Sequence, residues 1–279
     1  MHPIVNEIRN ALREHYPDSE ALALAKMLLV EAFGFSTLEL YGGKDKEISG
    51  KRLDVLNEMI ARLKKNEPIQ YVIGAEVFCG WTFEVNENVL IPRPETQELV
   101  RWIEADWKSD APCRILDVGT GSGCIAISLS KLLEGAEVEA WDISEGALRV
   151  ARRNADRNEA QVFFRRVDVL KACTEDCRYD VIVSNPPYIT ESEKQGMEAN
   201  VLEWEPQTAL FVPDTDPLLF YRRIAELGVS MLKEGGALYF EINRAYGEET
   251  VRMLEGLGYK QIELRKDNWG NDRMIKANR

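Results

Sequence analysis

Histidine is nearly missing from this 279-residue chain: His2 and His15 are the only two, both within the first fifteen positions. A histidine-dependent triad or a histidine-rich metal site in the body of the protein is thereby excluded. Chemistry there must proceed without imidazole. Cysteine is sparse as well. The five thiols, Cys79, Cys113, Cys124, Cys173 and Cys177, form an odd, scattered set that fits a reduced, cytoplasmic protein. The one close pair, Cys173 and Cys177, has no second pair or histidine nearby to complete a zinc tetrahedron, so no metal is expected. No apolar run reaches the about 18 residues of a spanning helix, since the richest stretch, ALALAKMLLVEAFGF, carries Lys26 and Glu31. The opening MHPIVNEIRN has no basic start before an apolar core, so no secretory signal is expected. Positive charge is in deficit too. Lys+Arg 35 against Asp+Glu 47 leaves −12, which argues against bulk binding to DNA or RNA. Arg149, Arg152, Arg153 and Arg157 cluster at helical spacing and read as a solvated helix face rather than a nucleic-acid footprint.

What remains is the composition of a folded globular protein, 45% apolar and 29% charged, long enough for about two domains. Residues 1–73 read as a small helical domain: VNEIRNALREH, SEALALAKMLLVEAFG and LDVLNEMIARLKKNEP repeat apolar residues at three- and four-residue intervals. Gly42-Gly43 breaks this segment and Pro68 ends it. Residues 74–92 change period. VFCGWTFEVNENVLIP, punctuated by Gly80 and Asn86-Glu87-Asn88, predicts a β-hairpin linker. Pro92 and Pro94 bracket Arg93, and Pro94 suits the first turn of a helix through ETQELVRWIEADW. From there to residue 279 strands and helices alternate. RILDVG, VEAWDI, VFFRRVD, YDVIVSN and GALYFEI are separated by helices starting near Ser122, Ser144 and Pro217. YKQIELRKD and DRMIKAN close the domain around a turn at Asn268-Trp269-Gly270. Alternation of this kind predicts an α/β fold with a mostly parallel sheet covered on both faces.

The first strand of that sheet runs into Asp117-Val118-Gly119-Thr120-Gly121-Ser122-Gly123, and a helix follows at once. Glycine lets backbone approach a ligand closely. By itself the loop fits a dinucleotide, a nucleoside or an ordinary tight turn. Its spacing is Gly-x-Gly-x-Gly rather than the Gly-x-Gly-x-x-Gly of dinucleotide sites. Asp117 at its start is an awkward neighbour for a pyrophosphate. Asp142 ends the next strand and could accept hydrogen bonds from ribose hydroxyls, or could simply cap the following helix. A nucleoside with a cationic, phosphate-free tail, S-adenosylmethionine, suits this set. Asp168, at the end of the third strand and followed by Val169, would lie beside the adenine, or is a plain turn aspartate.

The fourth strand ends in Asn185-Pro186-Pro187-Tyr188. Ligands in open parallel sheets bind beyond the carboxyl ends of the strands near the switch point, which the first and fourth strands should flank. Two prolines fix φ, remove two donors and push Asn185 towards an extended conformation. A stiff edge of acceptors results: the Asn185 side-chain oxygen and the Pro186 carbonyl. Amide nitrogen is a poor nucleophile because its lone pair is delocalised, as the ~18–20 kcal/mol rotation barrier indicates. Two hydrogen bonds from a substrate NH2 group to fixed acceptors can turn that lone pair towards a methyl donor. Near-attack placement of this kind is worth about 7–11 kcal/mol.

At these residues the chain resembles a known family, the release-factor glutamine N5-methyltransferases. DVGTGSG, the acid of WDIS and NPPYI resemble a class I, Rossmann-like methyltransferase of the NPPY group. PIQYVIGAEVFCGWTFEVNENVLIPRPET, EWEPQTAL (with Glu205, Pro206, Ala209 and Leu210) and KDNWGNDRM narrow the match, which covers essentially the whole chain. The resemblance implies a seven-stranded sheet behind a helical substrate-recognition domain. It also implies S-adenosylmethionine as cofactor and S-adenosylhomocysteine as product. Cofactor contacts are expected from Asp117, Gly119, Thr120, Gly121, Ser122, Gly123, Asp142, Asp168, Val169 and Asn185. Asn185, Pro186, Pro187 and Tyr188 are expected to hold the glutamine amide, with Asn185 orienting it, Pro186 accepting its second N–H and Tyr188 walling the pocket. The implied partner is a class 1 peptide-chain release factor, methylated in its Gly-Gly-Gln loop. Direct nucleic-acid contact and a membrane are not expected, and a monomer is.

Three departures stand out. Gln97 replaces a usual Glu, Glu241-Ile242-Asn243 replaces Glu-Ile-Gly, and VPDTDP replaces a glycine-rich piece. Arg93, Glu95 and Glu205 would either face the substrate or hold the helix and loop that carry them. Two competing functions are an adenine or guanine methyltransferase, which would need a basic groove or a target-recognition domain, and a dinucleotide-dependent oxidoreductase or nucleoside-binding module.

Overall fold

The structure, a computed structural model, describes residues 1–42, 47–108, 111–173 and 179–279. Gly43 of the glycine pair and Cys177 of the cysteine pair lie outside the described residues. By contacts the chain divides into two compact units, Met1–Ala75 with Glu198–Trp204, and Glu76–Met197 with Glu205–Arg279.

The first unit is helical: α1 (Pro3–Leu12), α2 (Asp18–Met27), α3 (Thr37–Tyr41), α4 (Lys51–Leu63) and α5 (Ile69–Ile73). Ile4, Val5, Ile8 and Leu12 make one stripe of α1 and pack with Ala21, Ala25, Leu28, Leu29, Leu56 and Leu63 into a single core. The sequence pattern predicts one continuous helix through SEALALAKMLLVEAFG. Instead α2 gives way at Leu28 to a π-helical turn, Leu28–Ala32. Leu28 and Leu29, which open this turn, are both fully buried.

In the second unit, β1 (Ala75–Phe78) and β2 (Trp81–Glu84) form a two-stranded sheet. Then come α6 (Pro94–Trp107), β3 (Arg114–Val118), α7 (Cys124–Leu132), β4 (Glu137–Asp142), α8 (Glu145–Arg157), β5 (Val162–Arg166), β6 (Tyr179–Ser184) and β7 (Ile189–Thr190). They are followed by α9 (Ala199–Trp204), β8 (Phe211–Val212), α10 (Leu219–Met231), β9 (Leu232–Glu241), α11 (Gly247–Gly256), β10 (Lys260–Lys266) and β11 (Asp272–Asn278). Of these, α9 groups with the first unit, where the Trp204 indole N–H donates to the Lys65 carbonyl at 3.2 Å.

The main sheet has seven strands in the order β10-β11-β9-β6-β3-β4-β5, parallel except for β11, which runs antiparallel to both its neighbours. Its residues alternate between two cores. Ile115, Val181, Val183, Ala237 and Tyr239 face α6 and α7, while Leu116, Val118, Ile182, Leu238 and Phe240 face α10 and α11. Burial on both sides is why these strands read as unbroken apolar runs. The chain leaves β3 for β4 and β5 on one side, then crosses back to β6 on the other, so the switch point lies between β3 and β6. Among the described residues no helix is long and apolar enough to cross a membrane.

Candidate active site

A cavity of about 410 Å³ opens at that switch point, within the about 300–1,000 Å³ typical of small-molecule sites. Gly119, Thr120, Gly121 and Ser122 from the turn after β3, Asp142 from the end of β4, Asp168 and Val169 after β5, and Asn185, Pro186 and Pro187 after β6 line it. Four segments remote in sequence thus meet because parallel strands deliver all their carboxyl ends to one edge of the sheet.

The glycine turn is held by its backbone. Gly119 and Thr120 both donate N–H to the Trp141 carbonyl, at 2.8 and 2.9 Å. Gly119 (φ +77°) and Gly121 (φ +55°) occupy the left-handed region that glycine tolerates without strain. An added Cβ at either would meet no atom within 4 Å, so the space above the turn is open to a ligand. Asp142 Oδ2 accepts from the Gly121 N–H at 2.9 Å and Oδ1 from the Ser144 N–H at 2.8 Å. Each oxygen keeps a further lone pair for a ligand hydroxyl. Asp142 therefore braces the loop and begins α8 while still lining the cavity. Burial raises its pKa, and the N–H groups of Ser144, Gly121 and Ile143 pull it back.

Three expected site residues are placed elsewhere. Asp117 shares the pleat face of Ile115, opposite Leu116 and Val118, so its carboxyl points under the loop and is 0% exposed. There Oδ2 accepts from the Thr120 hydroxyl at 2.6 Å, and burial pushes its pKa up to about 7. Gly123 (φ +83°) precedes α7, and its missing side chain serves packing. A Cβ would sit 2.9 Å from Ile127 Cδ1 and 3.2 Å from Ala151 Cβ, where α7 passes α8. Tyr188 does not line the cavity; its hydroxyl donates to Glu241 Oε1 at 3.2 Å inside the protein.

Asn185 is half-buried. Its Nδ2 donates to Thr96 Oγ1 at 3.3 Å, and the Thr96 hydroxyl donates to Glu241 Oε2 at 2.6 Å. Ser184 anchors the preceding residue by donating to the Val118 carbonyl at 2.6 Å, which ties the end of β6 to the end of β3. After the prolines, the N–H groups of Tyr188 and Ile189 both donate to the Leu210 carbonyl, at 3.2 and 2.9 Å, and β7 pairs with β8. The EPQTAL loop thereby closes over the Asn-Pro-Pro turn, with Pro206, Thr208 and Ala209 lining the cavity.

Arg93 and Glu205 form a salt bridge, and Glu205 Oε2 also accepts from the Ile91 N–H at 3.3 Å. Of the two roles open from sequence, holding the segment before α6 to the loop after α9 is the one these contacts serve. Glu95 sits half-buried in the first turn of α6, near enough to raise the pKa of Glu241. Gln97 accepts from the Cys79 N–H at 3.0 Å and so fastens the turn between β1 and β2. Asn243 donates to the Tyr188 carbonyl at 3.1 Å and to Glu193 at 2.9 Å.

Four contributors escape sequence reasoning. Thr96, Phe220 and the 88–92 segment line the cavity. Asn154, 0% exposed, donates to the carbonyls of Ser122 at 2.9 Å and Glu84 at 3.0 Å and accepts from the Glu84 N–H at 2.6 Å. It joins the glycine turn to β2. One signal was available for it: an uncharged Asn on the apolar side of a helix whose other polar positions are all charged.

These features agree with comparisons to known proteins. Residues 95–203 match the family Methyltransferase small domain, and residues 4–74 match the PrmC N-terminal domain. Over its full length the chain is 54% identical to a release factor glutamine methyltransferase of Bacteroides thetaiotaomicron, also covered completely. It is 47% identical to that of Flavobacterium psychrophilum, with 90% of each chain covered. A methyltransferase structure from Pyrococcus furiosus superposes with a TM-score of 0.53 at 20% identity, over 80% of this chain and 98% of that one, which speaks for the fold alone. With the switch-point cavity, the glycine turn and the Asn-Pro-Pro-Tyr corner in place, the chain belongs to the release factor glutamine methyltransferases.

Proposed function

We propose that this protein methylates the side-chain amide nitrogen of a glutamine, the glutamine of the Gly-Gly-Gln loop in class 1 peptide-chain release factors, using S-adenosylmethionine. The observation that carries this reading is that Asn185, Pro186 and Pro187 share one cavity with Gly119–Ser122 and Asp142. The similarity to release factor glutamine methyltransferases supports the substrate. The residues present fit the cofactor. Asp142 has lone pairs left for ribose hydroxyls, and the open space above Gly119 and Gly121 admits a methionyl tail. Asp168 and Val169 line the side where the adenine would lie. When bound, S-adenosylmethionine supplies an electrophilic methyl group on a sulfonium sulfur.

The protein's own contribution is orientation. Asn185 Oδ1 and the Pro186 carbonyl accept the two N–H bonds of the incoming carboxamide and turn its lone pair out of conjugation. Pro186 and Pro187 offer no N–H to compete for those acceptors. The carboxylates that line the cavity, Asp142 and Asp168, already accept backbone N–H bonds. No strong base is required, because the amide proton becomes acidic only as nitrogen bonds to carbon. Alignment, not proton abstraction, does the work.

Incubation with cofactor labelled in its methyl group and with candidate release factors tests this. The expected product carries one added methyl on a tryptic peptide containing the loop glutamine. Label that survives Gln→Ala in that loop would contradict the substrate assignment.

A further inference from the structure

The polarity of Asn185 needs a cause. A carboxamide is nearly symmetric in shape, and a half-turn about its last bond would present NH2 where the substrate needs an acceptor. Pro186 and Pro187 stiffen the backbone but do not choose between the two orientations.

The choice is made behind the motif. Glu241, at the end of β9, is 2% exposed, and Thr96, in the first turn of α6, is 3% exposed. The Thr96 hydroxyl has one proton and points it at Glu241 Oε2, 2.6 Å away. An ionised carboxylate only accepts, so that proton is committed and Thr96 Oγ1 is left as an acceptor. Facing it at 3.3 Å, Asn185 satisfies the contact with its NH2 group. The flipped amide would set two oxygens against each other with no proton between them. The other oxygen of Glu241 accepts from the Tyr188 hydroxyl at 3.2 Å, so both ends of the Asn-Pro-Pro-Tyr turn refer to one buried carboxylate. Burial raises the pKa of Glu241, and the hydroxyl of Thr96, the charge of Arg273 and the hydroxyl of Tyr188 pull it back towards the charged form.

We propose that Thr96 and Glu241 are positioning residues that lock the Asn185 carboxamide with its oxygen towards the substrate, and that this relay sets the rate of transfer without taking part in cofactor binding. The proposal rests on the reading of Asn185 as the acceptor of a substrate N–H.

Two readouts test it. In protein labelled with ¹⁵N at asparagine, the Asn185 side-chain protons should exchange with solvent at least tenfold more slowly than those of exposed asparagines. That slowing should vanish in Thr96→Val and persist in Thr96→Ser. In turnover assays Thr96→Val should lower kcat at least tenfold with the KM for S-adenosylmethionine within threefold of wild type, and Thr96→Ser should recover most of the rate. Fast exchange at Asn185 in the wild type, measurable whether or not a variant folds, would overturn the proposal. So would wild-type turnover in Thr96→Val, or equal impairment of Thr96→Ser and Thr96→Val. Should the wild type methylate no release-factor glutamine, the substrate reading fails, while slow exchange lost only in Thr96→Val would still uphold the locked amide.

Discussion

Arg93 and Glu205, 112 residues apart in sequence, form an ion pair in which the Glu205 side chain is 1% exposed and that of Arg93 34%. The pair joins the segment leading into α6 to the loop that follows the Asn-Pro-Pro-Tyr turn. Removing one partner leaves a buried charge uncompensated, a cost of about 3–5 kcal/mol for fully buried pairs. With one partner a third exposed, a loss of about 1–3 kcal/mol is expected for Glu205→Ala. Urea unfolding of Arg93→Ala, Glu205→Ala and the double variant checks this, and a coupling energy near zero would contradict it.

The glycines of the turn should separate by role. Gly123→Ala places a Cβ 2.9 Å from Ile127 at φ +83°, so overpacking of about 1–3 kcal/mol adds to backbone strain of about 1–2 kcal/mol. Gly119→Ala meets no atom within 4 Å. It should cost only the strain in stability and show its main effect on cofactor affinity. Melting curves alongside cofactor titrations distinguish the two, and the same pattern in both variants would refute the distinction.

Asp117 predicts a pH effect. Burial raises its pKa to about 7 in the fold, against about 3.9 in the unfolded chain. A carboxyl raised in this way favours the folded state while protonated. Its contribution declines as pH climbs from about 4 to about 7 and is constant above. Asp117→Asn removes the ionisation, so its stability relative to wild type should rise between pH 5 and pH 8, by about 2–3 kcal/mol. Urea unfolding at the two pH values reads this directly, and a pH-independent difference would contradict it.

Asp142 is expected to govern cofactor affinity. A hydrogen bond to a charged acceptor contributes about 1.5–3 kcal/mol, so Asp142→Ala should weaken S-adenosylmethionine binding by about ten- to a hundredfold. Calorimetry checks this, and unchanged affinity would leave Asp142 only as the brace between Gly121 and Ser144.

The sheet was legible because strands buried on both faces leave apolar runs, and the switch point followed from strand order. The pleat position of Asp117 could have been read from period two, since Ile115 and Asp117 must share a face. Other features leave no local trace. Strands β7 and β8 are two residues each, too short for any period. Thr96 and Glu241 meet from 145 residues apart, and the pairing of Arg93 with Glu205 needed the chain to return from a separate unit. Most groups named from the motifs line the cavity, whereas the groups that hold them in place come from segments with no motif of their own.

Asn185 is proposed to act on the orientation of a carboxamide and not on the cofactor. The most direct test of this role is Asn185→Ala, with kcat and the Kd for S-adenosylmethionine measured on the same preparation. Loss of alignment is expected to lower kcat by about a hundredfold or more, with Kd changed by less than about threefold. A parallel loss of affinity and turnover, or turnover that survives, would contradict the claim.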